Sequence, residues 1–340
     1  MRAVRLLAWE RDAELVEIPV PIPRGREVLL RVEAVGLCHS DLHVMDAPSG
    51  TLPYRLPFTL GHETAGTVAA VGDEADAAWV GEPVVVHGIW SCGQCRNCVR
   101  GRNNYCLRLA GGPIGGGLGH DGGLADYALV PGVGQLVRRP GLAARDAAPL
   151  TDAGLTAFHA LSGVRDLAEG GTVLVLGVGG LGHMALQYLA ALTGTRVVAV
   201  DTRPEARAHA RRLGAEQAVA SPAEAGALLA ESGGADVVLD FVGARETLAA
   251  VPGLLAPGGA AAIVGSGGGE TTVGKGGGLP SGWRLSAPFW GPRDDLAAVV
   301  RLAVDGVGRP TTSTYSLDQA LDAYRALRSG RVEGRAVVVP

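Results

Sequence analysis

The stretch GTVLVLGVGGLGHMALQYLAALTGTRVVAVD (171–201) decides the fold of the second half of this chain. TVLVL is an uninterrupted apolar run of the kind buried on both faces in a parallel strand. Gly177, Gly179 and Gly182 follow in the pattern G-x-G-x-x-G, with Gly180 as a further small residue. Leu181, Ala185, Tyr188, Leu189 and Leu192 then recur at helical spacing, and RVVAV reads as a second strand closed by Asp201. Among 52 glycines the pattern alone carries little. Between a strand and a helix, with an acid ending the next strand, it is specific for a dinucleotide-binding unit. The glycines permit the tight turn and let a pyrophosphate approach the helix N-terminus, where free N–H groups and the helix dipole favour an anion. Asp201 is placed to accept hydrogen bonds from ribose hydroxyls and to repel a 2′-phosphate, which predicts NAD. Arg203, two residues on, softens that repulsion and leaves room for some NADP use.

Further strands are expected at ADVVLDFVG (235–243) and AAAIVG (260–265), with a helix in ARETLAAVPGLLA (244–256). The alternation predicts an α/β, doubly wound parallel sheet. GSGGGETTVGKGGGLPSG (265–282) reads as a flexible loop near the cofactor, and RLSAPFW (284–290) as the strand that closes the sheet.

Bulk properties narrow the function. With 340 residues the chain can hold two cored domains. A net charge of -4 offers no electrostatic footprint for nucleic acid or anionic lipid. The basic residues are almost all arginine, Lys275 being the only lysine, which reads as compositional bias rather than binding chemistry. No apolar run approaches the ~20 residues of a membrane span. The opening MRAVRLLAWERDAELVE carries acids too early for an export signal, and five cysteines, an odd number, favour reduced thiols; a cytoplasmic location is expected.

Four of the five cysteines lie in SCGQCRNCVRGRNNYC (91–106). Cys92, Cys95, Cys98 and Cys106 have the spacing C-x2-C-x2-C-x7-C. Four thiolates on one tight loop satisfy a tetrahedral zinc, with Zn–S about 2.3 Å. An iron–sulfur cluster is the rival, but its run continues C-x3-C-P, whereas Cys106 sits further on and precedes Leu107. Four ligands leave no open position, so this zinc is structural and the chemistry lies elsewhere.

The fifth cysteine, Cys38, lies in VEAVGLCHSDLHVMD (32–46), and PFTLGHETAGTVAAVG (57–72) follows. Gly61-His62-Glu63, Gly66 and Gly72, with Cys38-His39-Ser40-Asp41 and the four-cysteine lobe, resemble the zinc-containing medium-chain alcohol dehydrogenases. Within that family the chain looks most like the bacterial NAD-dependent secondary-alcohol dehydrogenases. The likeness runs through LTDAGLTAFHAL (150–161) to GRAVVVP (334–340). It implies a GroES-like, β-rich catalytic domain at 1–150 and 292–340, and a Rossmann NAD-binding domain at 151–291.

The resemblance implies two zinc ions per subunit, the second of them catalytic. Cys38 and His62 match its first two ligands. Many relatives use a second cysteine as the third, but here the position is Asp152. One thiolate, one carboxylate and a neutral imidazole balance Zn²⁺ as two thiolates would, and a carboxylate reaches zinc at about 2.0–2.2 Å. The competing reading of Asp152 is a cap for the helix that follows it. Glu63, the competitor for that third position, resembles a family glutamate that can approach the metal and is expected to support the ligands and assist exchange of the fourth, and Asp41 resembles the carboxylate that orients the zinc histidine. His159 is expected to pack on its helix. Ser40 matches the residue that hydrogen-bonds the reacting oxygen, and His43 the histidine that ends the proton relay. His39 and Arg335 resemble cofactor contacts, Arg335 at the pyrophosphate. DAPSGTLPYRLPF, with Tyr54, and SAPFWGPRDD, with Phe289 and Trp290, are expected to wall an apolar substrate pocket.

The activity so implied is reversible hydride transfer between NAD and an alcohol or ketone, chiefly a hydrophobic secondary alcohol, by a homotetramer or dimer. A polyol dehydrogenase on the same scaffold is the enzymatic alternative. A zinc-knuckle nucleic-acid binder is the alternative from another class, and the negative charge weighs against it.

Overall fold

The stretch 171–201 forms the strand Thr172–Leu176, the helix Gly182–Leu192 and the strand Arg196–Val200, in a computed structural model that describes residues 1–274 and 280–340. Six parallel strands line up around it in the order Gln217–Val219, Arg196–Val200, Thr172–Leu176, Ala235–Asp240, Leu255–Ile263, Arg284–Ser286. Numbered along the chain, that order is 3-2-1-4-5-6, the doubly wound arrangement of dinucleotide-binding sheets. Leu174, Leu176, Val198, Val200, Val238 and Ala261 from four of these strands share one buried cluster, which accounts for their near-continuous apolar runs. Only Arg284–Ser286 of the expected closing strand pairs. Pro288 follows and has no N–H to donate to a ladder. Residues 265–274 and 280–282 of the glycine-rich segment carry neither helix nor strand; 275–279, Lys275 included, lie outside the described residues.

This sheet belongs to one of two units, Ala153–Gly291 with Val307–Arg309; the other comprises Met1–Asp152, Pro292–Gly306 and Pro310–Pro340. The latter is β-rich. Its main sheet runs Leu136–Arg138, Pro83–Val86, Glu63–Val71, Val28–Gly36, Arg335–Val339, Thr312–Ser316, with Tyr127–Val130 also paired to Val28–Gly36. Val28, Leu30, Val68, Val84, Val86, Val130 and Leu136 form its core.

Two registers of this sheet place the chemistry. Gly36 pairs with Glu63 on one side and with Val337 on the other, so residues about 30 and about 300 positions apart in sequence meet at one strand end. Gly36 has to be glycine there, since a Cβ would stand 1.8 Å from Glu63 Oε2. No helix among the described residues is long and apolar enough to cross a membrane.

Candidate active site and metal centres

Where the strand Val28–Gly36 ends, Leu37 still donates its N–H to Ala336 O at 2.9 Å, and the helix His39–Met45 begins directly after Cys38. Asp41, fully buried, secures that start: its Oδ2 accepts the Cys38 N–H at 3.0 Å. Its Oδ1 lies 3.0 Å from His62 Nδ1, so the same carboxylate that anchors the turn orients the imidazole. His62 Nε2 then faces inward, 3.7 Å from Asp152 Oδ2. The Cys38 thiol, one His62 nitrogen and one Asp152 oxygen all lie within 4.8 Å of one another.

This donor set fits zinc. Ligand atoms about 2.0–2.3 Å from a tetrahedral ion stand about 3.3–3.8 Å apart, and the measured 3.7 Å falls in that range. Electrostatics agree. Burial alone would lower the His62 pKa, but Asp41, Asp152 and Cys38 outweigh it and hold the value well above the ordinary one.

Glu63 and Arg335 complete the cluster, 0 % and 3 % exposed. Arg335 Nε donates to Glu63 Oε2 at 3.0 Å, and its Nη2 is shared between Glu63 Oε1 and Asp152 Oδ2, the latter at 2.9 Å. Burial pushes the Glu63 pKa up to about 7 against the pull of Arg335, with Asp152 adding to the rise. The resemblance places Arg335 on a cofactor pyrophosphate; here its guanidinium is turned onto the two carboxylates beside the candidate metal. Sequence reasoning missed this because Arg335 stands 272 residues from Glu63 and 183 from Asp152.

Ser40 is brought to the same place, its Oγ 3.6 Å from Cys38 Sγ. His39 and His43 project from the same helix but are exposed. Tyr54 is half-buried and within electrostatic reach of His62; burial raises its phenol pKa, and its ring meets Phe58 edge-on at 6.0 Å. Phe289 and Trp290 belong to the other unit, Phe289 exposed and Trp290 buried. His159 lies partly buried on the helix Ala153–Ser162.

The four-cysteine lobe closes as its spacing predicts. Cys95 and Cys98 sulfurs lie 3.4 Å apart, and the Cys92–Cys98 and Cys95–Cys106 pairs are each 4.0 Å apart. Tetrahedral zinc would set sulfurs about 3.8 Å apart. Backbone N–H donors pull the Cys95 pKa down to about 6, while burial and the neighbouring sulfurs push Cys98 up to about 12. Cys98 therefore keeps its proton at neutral pH unless a cation joins the sulfurs and displaces it. Asn103, within the lobe, accepts the Arg293 N–H at 3.1 Å, and Arg293 also donates to Leu136 O at 2.6 Å. These bonds tie the lobe to the helix Arg293–Val304, a tether no local motif announces.

At the nucleotide loop each glycine has a distinct physical reason. Gly177 sits at φ +87° and donates to Val200 O at 2.8 Å. A Cβ on Gly182 would lie 1.9 Å from Gly177 O, so this glycine lets helix and strand pack. A Cβ on Gly179 would meet nothing within 4 Å, leaving open space over the loop for a ligand to approach. Gly180 and Leu181 lead directly into the helix Gly182–Leu192. Asp201 Oδ2 accepts the Val178 N–H at 2.9 Å, and its Oδ1 accepts from Arg203 N and Nε at 2.9 and 3.2 Å. Burial would raise the Asp201 pKa, but these donors prevail and lower it, keeping an anion beside the loop. The loop fits a dinucleotide.

Comparison with known proteins agrees with this geometry. Residues 24–141 match the alcohol dehydrogenase GroES-like domain, and residues 180–305 match the zinc-binding dehydrogenase domain. An NAD-dependent alcohol dehydrogenase of Sulfurisphaera tokodaii is 34% identical over 100% of both chains. A D-arabinose 1-dehydrogenase (NADP(+)) of Saccharolobus solfataricus is 33% identical, covering 100% of this chain and 97% of its own. Among solved structures, the alcohol dehydrogenase of Aeropyrum pernix superposes with a TM-score of 0.92 at 33% identity, covering 100% of both chains. With a GroES-like unit, a Rossmann unit and full-length likeness to these enzymes, the chain belongs to the zinc-containing medium-chain alcohol dehydrogenase family.

Proposed function

We propose that this member of the family is an NAD-dependent dehydrogenase of hydrophobic, chiefly secondary, alcohols, working reversibly on the matching ketones. Cys38, His62 and Asp152 hold the catalytic zinc, and Cys92, Cys95, Cys98 and Cys106 a structural one. The observation that carries the reading is the buried meeting of thiol, imidazole and carboxylate within 4.8 Å.

A zinc ion so held supplies Lewis acidity toward the alcohol oxygen, and NAD+ supplies the hydride acceptor. The rest falls to the chain's own groups. Asp41 keeps the His62 proton on Nδ1, so that Nε2 presents its lone pair inward. Arg335 neutralises Glu63 and the spare charge of Asp152, which keeps these two clustered carboxylates from repelling one another. Ser40, half-buried beside Cys38, takes the alcohol proton as it releases its own hydroxyl proton, and the exposed His43 imidazole accepts the relayed proton and hands it to water. Asp201 would hold the adenosine ribose by accepting hydrogen bonds from its hydroxyls on the carboxylate oxygens that now accept from Arg203. Tyr54 offers an apolar wall, against which each unpaired substrate hydroxyl would cost about 1–3 kcal/mol.

A second reading has its own support. The D-arabinose relative acts on a polyhydroxylated substrate, and Arg203 beside Asp201 is a cation that could receive a 2′-phosphate. One assay separates the two. Initial rates at 340 nm are measured with 2-butanol, 1-phenylethanol, sorbitol and D-arabinose, each with NAD+ and NADP+. The proposal expects the first two, with NAD+, to lead in kcat/KM. A lead for sorbitol or arabinose would overturn the substrate reading and leave the dehydrogenase assignment in place. Assembly as a homotetramer in the cytoplasm, in keeping with the resemblance, is checked by light scattering of the purified protein and by fractionation of its host.

A further inference from the structure

Behind the metal ligands lies a tyrosine that neither motif nor resemblance singles out. Tyr324 sits on the helix Ala320–Arg328, which packs against the helix His39–Met45 and the strand Arg335–Val339. The first of these contacts is pinned by Arg328, one turn beyond Tyr324, whose Nη1 and Nη2 donate to the two oxygens of Asp46 at 2.6 and 2.9 Å. That fork fixes how the two helices slide along one another, and so where Tyr324 stands relative to Asp41.

Tyr324 is 4 % exposed and Asp41 0 %. The tyrosine hydroxyl is sealed from solvent with no hydrogen-bond partner among the described residues, while Asp41 Oδ1, 3.0 Å from His62 Nδ1, is a carboxylate oxygen with a second lone pair to offer. A sealed hydroxyl without a partner is rare in a folded core. After burial itself, Asp41 contributes most to the charge around the phenol, ahead of Cys38 and Glu63. A rotatable O–H can turn to donate to a carboxylate oxygen, and Asp41 is the group that orients His62.

We infer that Tyr324 is a positioning residue for the metal centre: its hydroxyl donates to Asp41, and through Asp41 it fixes the orientation of His62. The chain Tyr324–Asp41–His62 extends the support of the centre by one step, onto a helix near the C-terminus. Phenol and carboxylate are a matched donor and acceptor in a dry site, where each strengthens the other's hold on the imidazole. The inference rests on the reading of Cys38, His62 and Asp152 as metal ligands, and it concerns what stands behind them rather than the reaction itself.

The test uses the full-length, metal-loaded protein and Tyr324→Phe, which keeps the ring and removes one oxygen. Zinc release to a chromogenic chelator is followed by stopped flow, and the visible spectrum of the cobalt-substituted protein is recorded. The expected result is release from the three-residue site faster by roughly tenfold, the low end for outer-shell partners of a metal ligand. A shift in the cobalt bands should accompany it, while the four-cysteine site is unchanged. Asp41→Asn should mimic the change, and adding Tyr324→Phe to it should have little further effect. Unchanged release and an unchanged cobalt spectrum would overturn the inference, whatever happens to Tm, as would equal acceleration at both sites. A wild-type protein with metal only at the four cysteines would instead overturn the parent reading, and this one with it.

Discussion

Gly179 and Gly182 differ by one methyl group each from alanine, yet the structure predicts opposite consequences of adding it. At Gly179 the new Cβ meets nothing within 4 Å, so Gly179→Ala should fold normally. Its stability should stay level or rise by about 0.4–1 kcal/mol, because alanine restricts the unfolded chain. At Gly182 the Cβ would lie 1.9 Å from Gly177 O, a backbone atom that cannot rotate aside. Relief needs more than an ångström of movement between the helix Gly182–Leu192 and the loop, and overpacking of that kind costs about 1–3 kcal/mol. Cofactor affinity should separate the pair differently. On the proposed reading a pyrophosphate approaches the loop through the space above Gly179, and a methyl there would hold it off the N–H groups. Losing one charge-assisted hydrogen bond costs about 1.5–3 kcal/mol, which is a weakening of roughly tenfold to 150-fold in Kd. NADH binding is read by fluorescence titration, and stability by thermal and urea denaturation of the same samples. Gly179→Ala with wild-type NADH affinity would refute the assignment of this loop as the pyrophosphate cradle. Gly182→Ala with wild-type stability would refute the packing argument.

Two further outcomes follow from particular contacts. Asp152→Ala should lower zinc content from about two ions per chain to about one and abolish turnover, with the four-cysteine zinc retained; full metal content and surviving activity would make Asp152 a helix cap only. Asp126 accepts the Arg2 N–H and its guanidinium, both at 2.7 Å, and although burial alone would raise its pKa, Arg2 brings it below the usual carboxylate range. A depressed folded-state pKa gives stability that is present above the unfolded value and lost as pH falls through the folded one. With Arg2 40% exposed the pair contributes about 0.5–1 kcal/mol at most, so Asp126→Asn should lower stability slightly at pH 7 and not at all at the acid limit, as compared by urea denaturation.

Much of the candidate site was legible because its parts are contiguous. Cys92 to Cys106 span a single loop, and 171–201 a single βαβ unit, so spacing alone carries the geometry. Cys38, His62 and Asp152 were legible only through the motifs that surround them, since a lone cysteine, histidine or aspartate has many ordinary uses. The closing strand was overread at Phe289 and Trp290 because apolar composition outweighed Pro288, which cannot donate to a ladder.

What the sequence determined by itself was therefore local: the nucleotide loop with its reasons for glycine, the cysteine lobe and the alternation that makes the parallel sheet. The tertiary structure alone decided that Arg335 bridges Glu63 and Asp152, that Arg293 tethers the cysteine lobe, and that the helix carrying Tyr324 packs against the helix carrying Asp41. The reason is register. Local motifs are set by the covalent spacing of neighbours, whereas Arg335 reaches Glu63 only because Gly36 pairs with Glu63 on one side and Val337 on the other. A slip of one residue in either pairing would turn every side chain of the strand to the opposite face and dissolve the cluster.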